Sequence, residues 1–208
     1  MITGYATPEG TKKFAEKQTE NTQKNYKNIQ NLTLSNVGIG TYLGNSDIET
    51  DYLVQNAVKK SILSGVNVID SAINYRAQKA ERSVGNAISQ LIDNDDISRE
   101  EIFVSTKNGY VTNDGDIKED LMQYVMREYG KTGIVKEGDI SPGYHCMTLP
   151  YLNDQLERSL KNLGLNCIDL MYLHNSVEGQ THISREQFLK NLKDVFNFYE
   201  KKAKGWKD

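Results

Sequence analysis

Apolar and polar positions along the chain form blocks that predict strands followed by helices. Short apolar runs rich in β-branched residues indicate strands, and apolar residues three or four positions apart indicate amphipathic helices. Strands are predicted at 37–41, 66–71, 102–107 and 167–174. Helices are predicted to follow them at 48–64, 84–92, 152–163 and 188–199. Because strands that alternate with helices pair in parallel through right-handed crossovers, the pattern predicts an α/β fold.

Two regions precede this repeat. Residues 1–31 are polar and show no clear apolar period, so we expect a partly helical lead-in segment ahead of a domain at 32–208. A short strand at 32–34, a turn at Ser35-Asn36 and the strand at 37–41 together predict an N-terminal β-hairpin.

One connection interrupts the repeat. Residues 108–149 separate the third strand from the next helix, and they are far longer than the usual few residues. A helix is predicted within them at 118–129. Because this segment follows a strand and precedes a helix, we expect it to shape a substrate pocket, and a surface decoration is the alternative.

Four polar residues stand at or just after the ends of three predicted strands: Asp70, Tyr75, Lys107 and His174. In a parallel sheet these strand ends meet at one rim, where α/β enzymes keep their chemistry. A phenol has a pKa of about 10, and a neighbouring ammonium lowers the pKa of such a group. Tyr75 would then protonate a carbonyl oxygen, Asp70 would hold the Lys107 ammonium, and His174 would orient the carbonyl.

Each of these residues also has a structural interpretation. Tyr75 is one of 12 tyrosines and could be packing, and Lys107 could be an ordinary solvated lysine. Asp70 could brace a loop, and His174 could be a hydrogen-bonded structural histidine. The joint placement at three strand ends is what favours chemistry.

The other histidines, at positions 145 and 182, have no comparable pattern. His145 lies beside Cys146, but no further pair of ligands stands at a spacing that suits a metal. The sequence therefore predicts no metal site.

Composition limits the class of protein. The chain has 208 residues, of which 38% are hydrophobic and 25% are charged, and its net charge of −3 gives no reason to expect nucleic-acid binding. It has no apolar run of about 18 residues and no pattern of a secretory signal, so we expect no membrane span. With two cysteines, Cys146 and Cys167, a structural disulfide is improbable and a cytoplasmic location is expected.

A glycine-containing strand raises the question of nucleotide binding. Residues 38–41 (GIGT) lack the third glycine of a dinucleotide fingerprint and the Lys-Ser/Thr of a phosphate loop. A doubly wound nucleotide-binding module is therefore disfavoured.

Six segments in order resemble the aldo-keto reductase family: 37–44 (VGIGTYLG), 65–76 (GVNVIDSAINYR), 81–85 (ERSVG), 99–107 (REEIFVSTK), 155–160 (QLERSL) and 169–174 (DLMYLH). The resemblance covers about residues 32–204. It implies a (β/α)₈ TIM barrel, NADP(H) as cofactor, no metal, and reduction of a small carbonyl compound or oxidation of an alcohol.

The resemblance also implies roles for single residues. Tyr75 would be the acid/base, Asp70 and Lys107 would tune it, and His174 would orient the carbonyl. The cofactor would be bound by Gly40, Thr41, Tyr42 and Asp70, near its nicotinamide end. The sequence does not indicate the substrate, the direction of the reaction or a preference between NADP and NAD.

The pattern contains four strand–helix units, whereas a full barrel needs eight units and about 250 residues. We therefore expect a partial barrel with two open sheet edges and an exposed apolar face, which alone would be a poor enzyme. A truncated gene product, a split enzyme whose other half is a separate chain, and self-association are the three explanations. A non-catalytic binding or regulatory subunit that keeps the scaffold is the alternative function.

Overall fold

The structure, a computed structural model, describes residues 1–205 and contains a four-stranded parallel sheet and a two-stranded hairpin. Residues 206–208 of the domain predicted at 32–208 lie outside the described residues. The strands are β1 Tyr26–Ile29, β2 Leu32–Ser35, β3 Ile39–Gly40, β4 Val68–Asp70, β5 Phe103–Asn108 and β6 Leu170–Leu173. The α-helices are α1 Pro8–Glu16, α2 Glu20–Gln23, α3 Ile48–Leu63, α4 Lys79–Asp93, α5 Leu121–Val125, α6 Leu149–Leu163, α7 Ser176–Gly179 and α8 Arg185–Lys204.

The parallel sheet has the order β3-β4-β5-β6, with each strand beside its predecessor in the chain. Helices α3, α4 and α6 make the crossovers, and α8 follows β6. This arrangement confirms the predicted α/β fold, a partial (β/α)₈ barrel of four strand–helix units with a long connection after its third strand.

The hairpin differs from the prediction in its strands. β2 pairs antiparallel with β1, which lies in the segment interpreted as a lead-in, and residues 39–40 of the predicted second strand instead begin the parallel sheet. The turn is at Gln30 and Asn31, not at Ser35-Asn36. Both turn residues have positive φ, 51° and 70°, which suits a two-residue hairpin because such turns match the strand twist. Neither residue is a glycine, so the usual sequence signal is missing.

The alternation of side chains along the strands divides the sheet into two faces. Ile69 and Val104 point outward and are fully buried beneath the helices, in the main hydrophobic core. Asp70 and Lys107 point to the inner, concave face, and the neighbouring Val68 is partly exposed there. The inner face therefore presents its polar groups at the carboxyl ends of the strands.

Helices α4 and α6 approach closely on the outer face. A side chain at Gly85 of α4 would place its Cβ 2.6 Å from the Leu163 carbonyl oxygen of α6, so this contact requires glycine. Helix α6 ends at Gly164, whose φ of 66° is the left-handed conformation that commonly terminates a helix.

The hairpin lies at the amino ends of the strands, away from the predicted site. Asn67, which precedes β4, accepts a hydrogen bond from the Ser35 backbone N–H at 2.8 Å and donates one to the Thr33 carbonyl at 3.0 Å. Helix α1 packs against this end and buries Phe14 in the main core.

The long connection forms a second core with α6 and α8. Its predicted helix at 118–129 is shorter: α5 ends at Val125 and a π-helical segment, Met126–Gly130, continues it. Tyr124 and Tyr129 are fully buried there. No helix among residues 1–205 is long and apolar enough to cross a membrane.

Candidate active site

The four residues predicted at strand ends meet at one rim of the sheet. Asp70 is the last residue of β4, Lys107 is the penultimate residue of β5, and His174 directly follows β6. Tyr75 lies in the turns between β4 and α4. The parallel register of the strands places Asp70, Lys107 and His174 on this rim, and the turn after β4 adds Tyr75.

A salt bridge fixes the lysine of this site. Lys107 Nζ lies 2.6 Å from Asp70 Oδ2 and also donates to the Ser71 carbonyl oxygen at 2.7 Å. The Ser105 hydroxyl donates to the other oxygen of Asp70 at 2.8 Å. Because charge-assisted hydrogen bonds are strong and directional, the ammonium is held at one place on the rim.

The lysine contacts the ring of the predicted acid. Lys107 Nζ lies 4.7 Å from the ring centroid of Tyr75, which is within the range of a cation–π contact. Within the described residues, no hydrogen bond to the Tyr75 hydroxyl is present, so this group is available to a bound molecule.

The imidazole lies on the other side of the tyrosine. The rings of His174 and Tyr75 meet edge to face, with their centroids 5.7 Å apart. Burial lowers the pKa of His174, and the nearby positive charge of Lys107 lowers it further. His174 is therefore a neutral imidazole at neutral pH.

A neighbouring amide contacts this imidazole. His174 Nδ1 lies 3.1 Å from Asn74 Oδ1. If the Asn74 oxygen accepts from His174 Nδ1, that nitrogen carries the proton and Nε2 is an acceptor. If the Asn74 amide is rotated by half a turn, its nitrogen donates to Nδ1, and Nε2 carries the proton. Asn74 thus decides which ring nitrogen can donate to a substrate oxygen.

These groups open on a cavity of about 370 Å³, lined by Tyr42, Asn74, Tyr75, Tyr110, His174 and Asn175. The Tyr42 ring lies 5.0 Å from that of Tyr75, and the Tyr110 ring lies 5.0 Å from that of His174. Tyr110 belongs to the long connection, which therefore forms part of the cavity wall.

The residues predicted to bind the cofactor border the same rim. Gly40 lies opposite Asp70 in the sheet, and no atom lies within 4 Å of the place where its Cβ would stand. Thr41 is buried and donates to the Ser71 hydroxyl at 3.0 Å, while the Tyr42 side chain is exposed. The open space over Gly40, opposite Asp70 in the sheet, leaves room for a planar ring such as nicotinamide.

The structure also shows residues of the site that sequence reasoning missed. Asn74 and Tyr110 line the cavity, and the buried His145 supports it from behind. Apart from its nearness to Lys107 in the chain, Tyr110 carries no local sequence signal for a role in the site. Among residues 1–205, no three His, Cys, Asp or Glu side chains cluster in a way that could hold a metal ion.

A model of the aldo/keto reductase family matches residues 36–203, which is most of the chain. The chain belongs to the aldo/keto reductase family. The resemblance predicted from the six sequence segments is thereby confirmed.

Two solved aldo-keto reductases illustrate the similarity. One, from Bacillus halodurans in its holo form, is 19% identical with a TM-score of 0.49, over 79% of this chain and 43% of that chain. The other, a thermostable enzyme in complex with the inhibitor epalrestat, is 20% identical with a TM-score of 0.48, over 81% of this chain and 48% of that chain. The chain thus spans less than half the length of either aldo-keto reductase. No curated protein matches it.

Proposed function

We propose that the rim site catalyses NADP(H)-dependent reduction of a small carbonyl compound, or oxidation of the corresponding alcohol. One observation carries this proposal: the Lys107 ammonium, held by Asp70, lies against the Tyr75 ring, with His174 on the same cavity. Family membership supports the oxidoreductase class.

Tyr75 acts as the proton donor in the direction of reduction. Its hydroxyl gives its proton to the carbonyl oxygen, and the phenolate that forms is stabilised by the positive charge of Lys107 against the ring. Asp70 keeps the ammonium in place through the 2.6 Å salt bridge. In the direction of alcohol oxidation, the same phenolate takes the proton back.

His174 orients the substrate. A neutral imidazole with a proton on Nε2 can donate a hydrogen bond to the carbonyl oxygen, which requires Asn74 to present its amide nitrogen to Nδ1. The aromatic rings of Tyr42 and Tyr110 border the cavity and favour a small substrate with an apolar body.

The cofactor would be held by Gly40, Thr41, Tyr42 and Asp70. When bound, NADPH supplies the hydride that reaches the carbonyl carbon. The open space at Gly40 and the exposed ring of Tyr42 support this assignment, because Gly40 lies opposite Asp70 in the sheet and Tyr42 lines the cavity that contains Tyr75.

Turnover of a panel of small aldehydes and ketones with NADPH tests the proposed function. Tyr75→Phe is expected to lower the rate by about 10²- to 10⁴-fold, the usual contribution of a positioned proton donor. Tyr52→Phe, at an exposed position on α3, is the matched control. Activity that Tyr75→Phe leaves unchanged would remove Tyr75 from this role.

The sheet itself indicates a partner. Its two edge strands are β3 and β6. On the inner face, the apolar side chains of Phe103, Leu170 and Tyr172 are at least partly exposed. A cavity of about 460 Å³ with a mainly apolar lining borders β6. We propose that a separate chain supplies further parallel strands at these edges, because unpaired edges and apolar faces favour association.

Light scattering on the purified chain tests whether the open edges are covered by a second copy of the chain instead of a separate chain. A monomer is expected, and a stable dimer would instead indicate that a second copy covers the edges. An adjacent reading frame that encodes further strand–helix units would identify the separate chain.

The open edges also favour a second candidate function, a binding or regulatory subunit that keeps the scaffold without turnover. The assay with Tyr75→Phe separates the two candidates. The free cysteines Cys146 and Cys167 support the proposal that the protein works in a reducing compartment such as the cytoplasm.

A further inference from the structure

We infer that His145 is a positioning residue that holds His174 in the site, an inference that rests on the proposed role of His174. His145 is fully buried, and its Nε2 lies 2.8 Å from the backbone carbonyl oxygen of His174. A carbonyl oxygen accepts hydrogen bonds and cannot donate them, so Nε2 carries the proton. The hydrogen bond therefore holds the backbone from which the His174 imidazole projects.

The other nitrogen of His145 has its own partner. The Gln180 side-chain amide nitrogen lies 3.0 Å from His145 Nδ1, and it also donates to the His145 carbonyl oxygen at 3.2 Å. An amide nitrogen donates, so Nδ1 accepts. Two independent partners thus select a single neutral tautomer. Burial also lowers the pKa of His145, in agreement with a neutral ring.

The ring of His145 occupies a slot between two glycines. A Cβ at Gly109 would lie 2.5 Å from His145 Nε2, and a Cβ at Gly179 would lie 2.6 Å from His145 Cγ. Gly109 follows β5 and Gly179 ends α7, so backbone from both elements encloses the ring. The imidazole cannot shift without moving one of these segments.

His145 also fastens the long connection to the site. Its backbone lies opposite Tyr110 in an antiparallel bridge, and the adjacent Cys146 N–H donates to the Gly109 carbonyl at 2.8 Å. The Tyr110 ring is then enclosed between two imidazoles, 5.3 Å from that of His145 and 5.0 Å from that of His174. The His145 side chain therefore contacts the end of β6 and a wall of the cavity, and its backbone holds the start of the long connection.

Substitution at His145 separates this role from mere filling of space. In His145→Gln, the amide nitrogen can still donate to the His174 carbonyl. In His145→Phe, the ring fills the slot but the carbonyl loses its donor. We therefore expect the titration of His174 to shift more in His145→Phe than in His145→Gln.

The measurement is a pH titration of the His174 ring by ¹H–¹⁵N NMR, which reports both protonation and tautomer. The chain has three histidines, so His182→Gln completes the assignment and serves as a control. Lys107, His145 and Asp70 are the titratable groups that act on His174. Lys107 and Asp70 stay in every variant, and the electrostatic contribution of His145 is lost equally in His145→Phe and His145→Gln, so the difference between these two variants reports the positioning role. In His145→Phe, the midpoint of the His174 pH titration is expected to rise toward about 6.5, the ordinary pKa of histidine. The reason is that the His174 ring leaves its buried place near Lys107.

An unchanged His174 titration in folded His145→Phe would overturn the inference, as would an equal shift in His145→Gln. If circular dichroism shows that His145→Phe does not fold, Gln180→Leu takes its place. That variant removes the Nδ1 partner and is expected to raise the His174 midpoint by a smaller amount, and no shift would overturn the inference.

This readout needs neither substrate nor turnover, so it is independent of the proposed function. Failure of the carbonyl-reduction assay with a His174 that responds to His145→Phe would contradict the proposed function alone. Carbonyl reduction together with a His174 titration that does not respond to His145→Phe would contradict the positioning role alone.

Discussion

The two faces of the parallel sheet differ although neighbouring residues of the same strands form them. Ile69 and Val104 on the outer face are fully buried among helices, whereas Asp70 and Lys107 on the inner face form a partly exposed salt bridge. The outer face supplies stability through burial, and the inner face positions charge. Because the two roles fall on alternate residues, a substitution on the outer face should lower stability with little direct effect on the site. A substitution on the inner face should lower activity with little effect on stability.

The largest expected effect is on the inner face. Lys107→Met removes the charge beside Tyr75 and is expected to slow carbonyl reduction by about 10²-fold or more, within the range of acid–base catalysis. The free energy of unfolding should change by about 1 kcal/mol or less, since partly exposed salt bridges contribute little. Steady-state kinetics and urea denaturation check the two halves of this prediction.

The matched control for that variant is Lys60→Met, at an exposed position on α3. It should change neither activity nor stability. A large loss of stability in Lys107→Met would show that the inner-face charge also supports the fold, contrary to the division proposed between the faces.

A valine pair tests the outer face. Val104→Ala removes buried methyl groups and is expected to lower the free energy of unfolding by about 2 to 3 kcal/mol, from lost burial and the cavity that remains. Val68→Ala, on the inner face of the adjacent strand, should cost less because Val68 is partly exposed. Urea denaturation of both variants makes the comparison, and equal losses would contradict it.

A smaller effect is expected from pH. Burial lowers the pKa values of His145 and His174 in the folded protein. Below about pH 6.5 the unfolded chain binds protons that the folded chain does not, so the free energy of unfolding should fall as the pH decreases from there. Denaturation at a series of pH values checks the sign.

Other groups also titrate, so the pH test uses a difference between proteins. Burial raises the pKa of Glu81, so the folded protein takes up this proton at a higher pH than the unfolded chain. Its effect on the pH dependence of stability is therefore opposite to that of the two histidines. Comparison of the native protein with His145→Gln cancels this contribution. The variant should show a shallower decrease of stability below about pH 6.5, and an identical slope would contradict the assignment.

Local patterns predicted the outer face and the strand ends. Val84, Ala87, Ile88 and Leu91 form a buried stripe on α4, as their spacing predicts, because burial repeats with the period of the helix. The ends of the parallel strands likewise indicated Asp70 and Lys107, since strand direction alone places them on one rim.

Non-local contacts explain what the sequence could not predict. Before α4, Arg76, Ala77 and Gln78 all have positive φ, which is unusual for residues other than glycine. The long connection holds this turn through hydrogen bonds from Gly115 N–H to the Ala77 carbonyl and from the Gln78 amide to the Asn113 carbonyl. The path of that connection also determines the positions of Tyr110 and His145, so neither could be assigned from local patterns.

The central claim is that Tyr75 and Lys107 act as one unit, and a double-mutant cycle on carbonyl reduction tests it most directly. The rates of the native protein, Tyr75→Phe, Lys107→Met and the double variant are compared at saturating NADPH and carbonyl substrate. If the lysine acts through the phenol, the double variant should be no slower than the slower single variant. Losses that multiply in the double variant would show that the two residues act independently and would contradict the account.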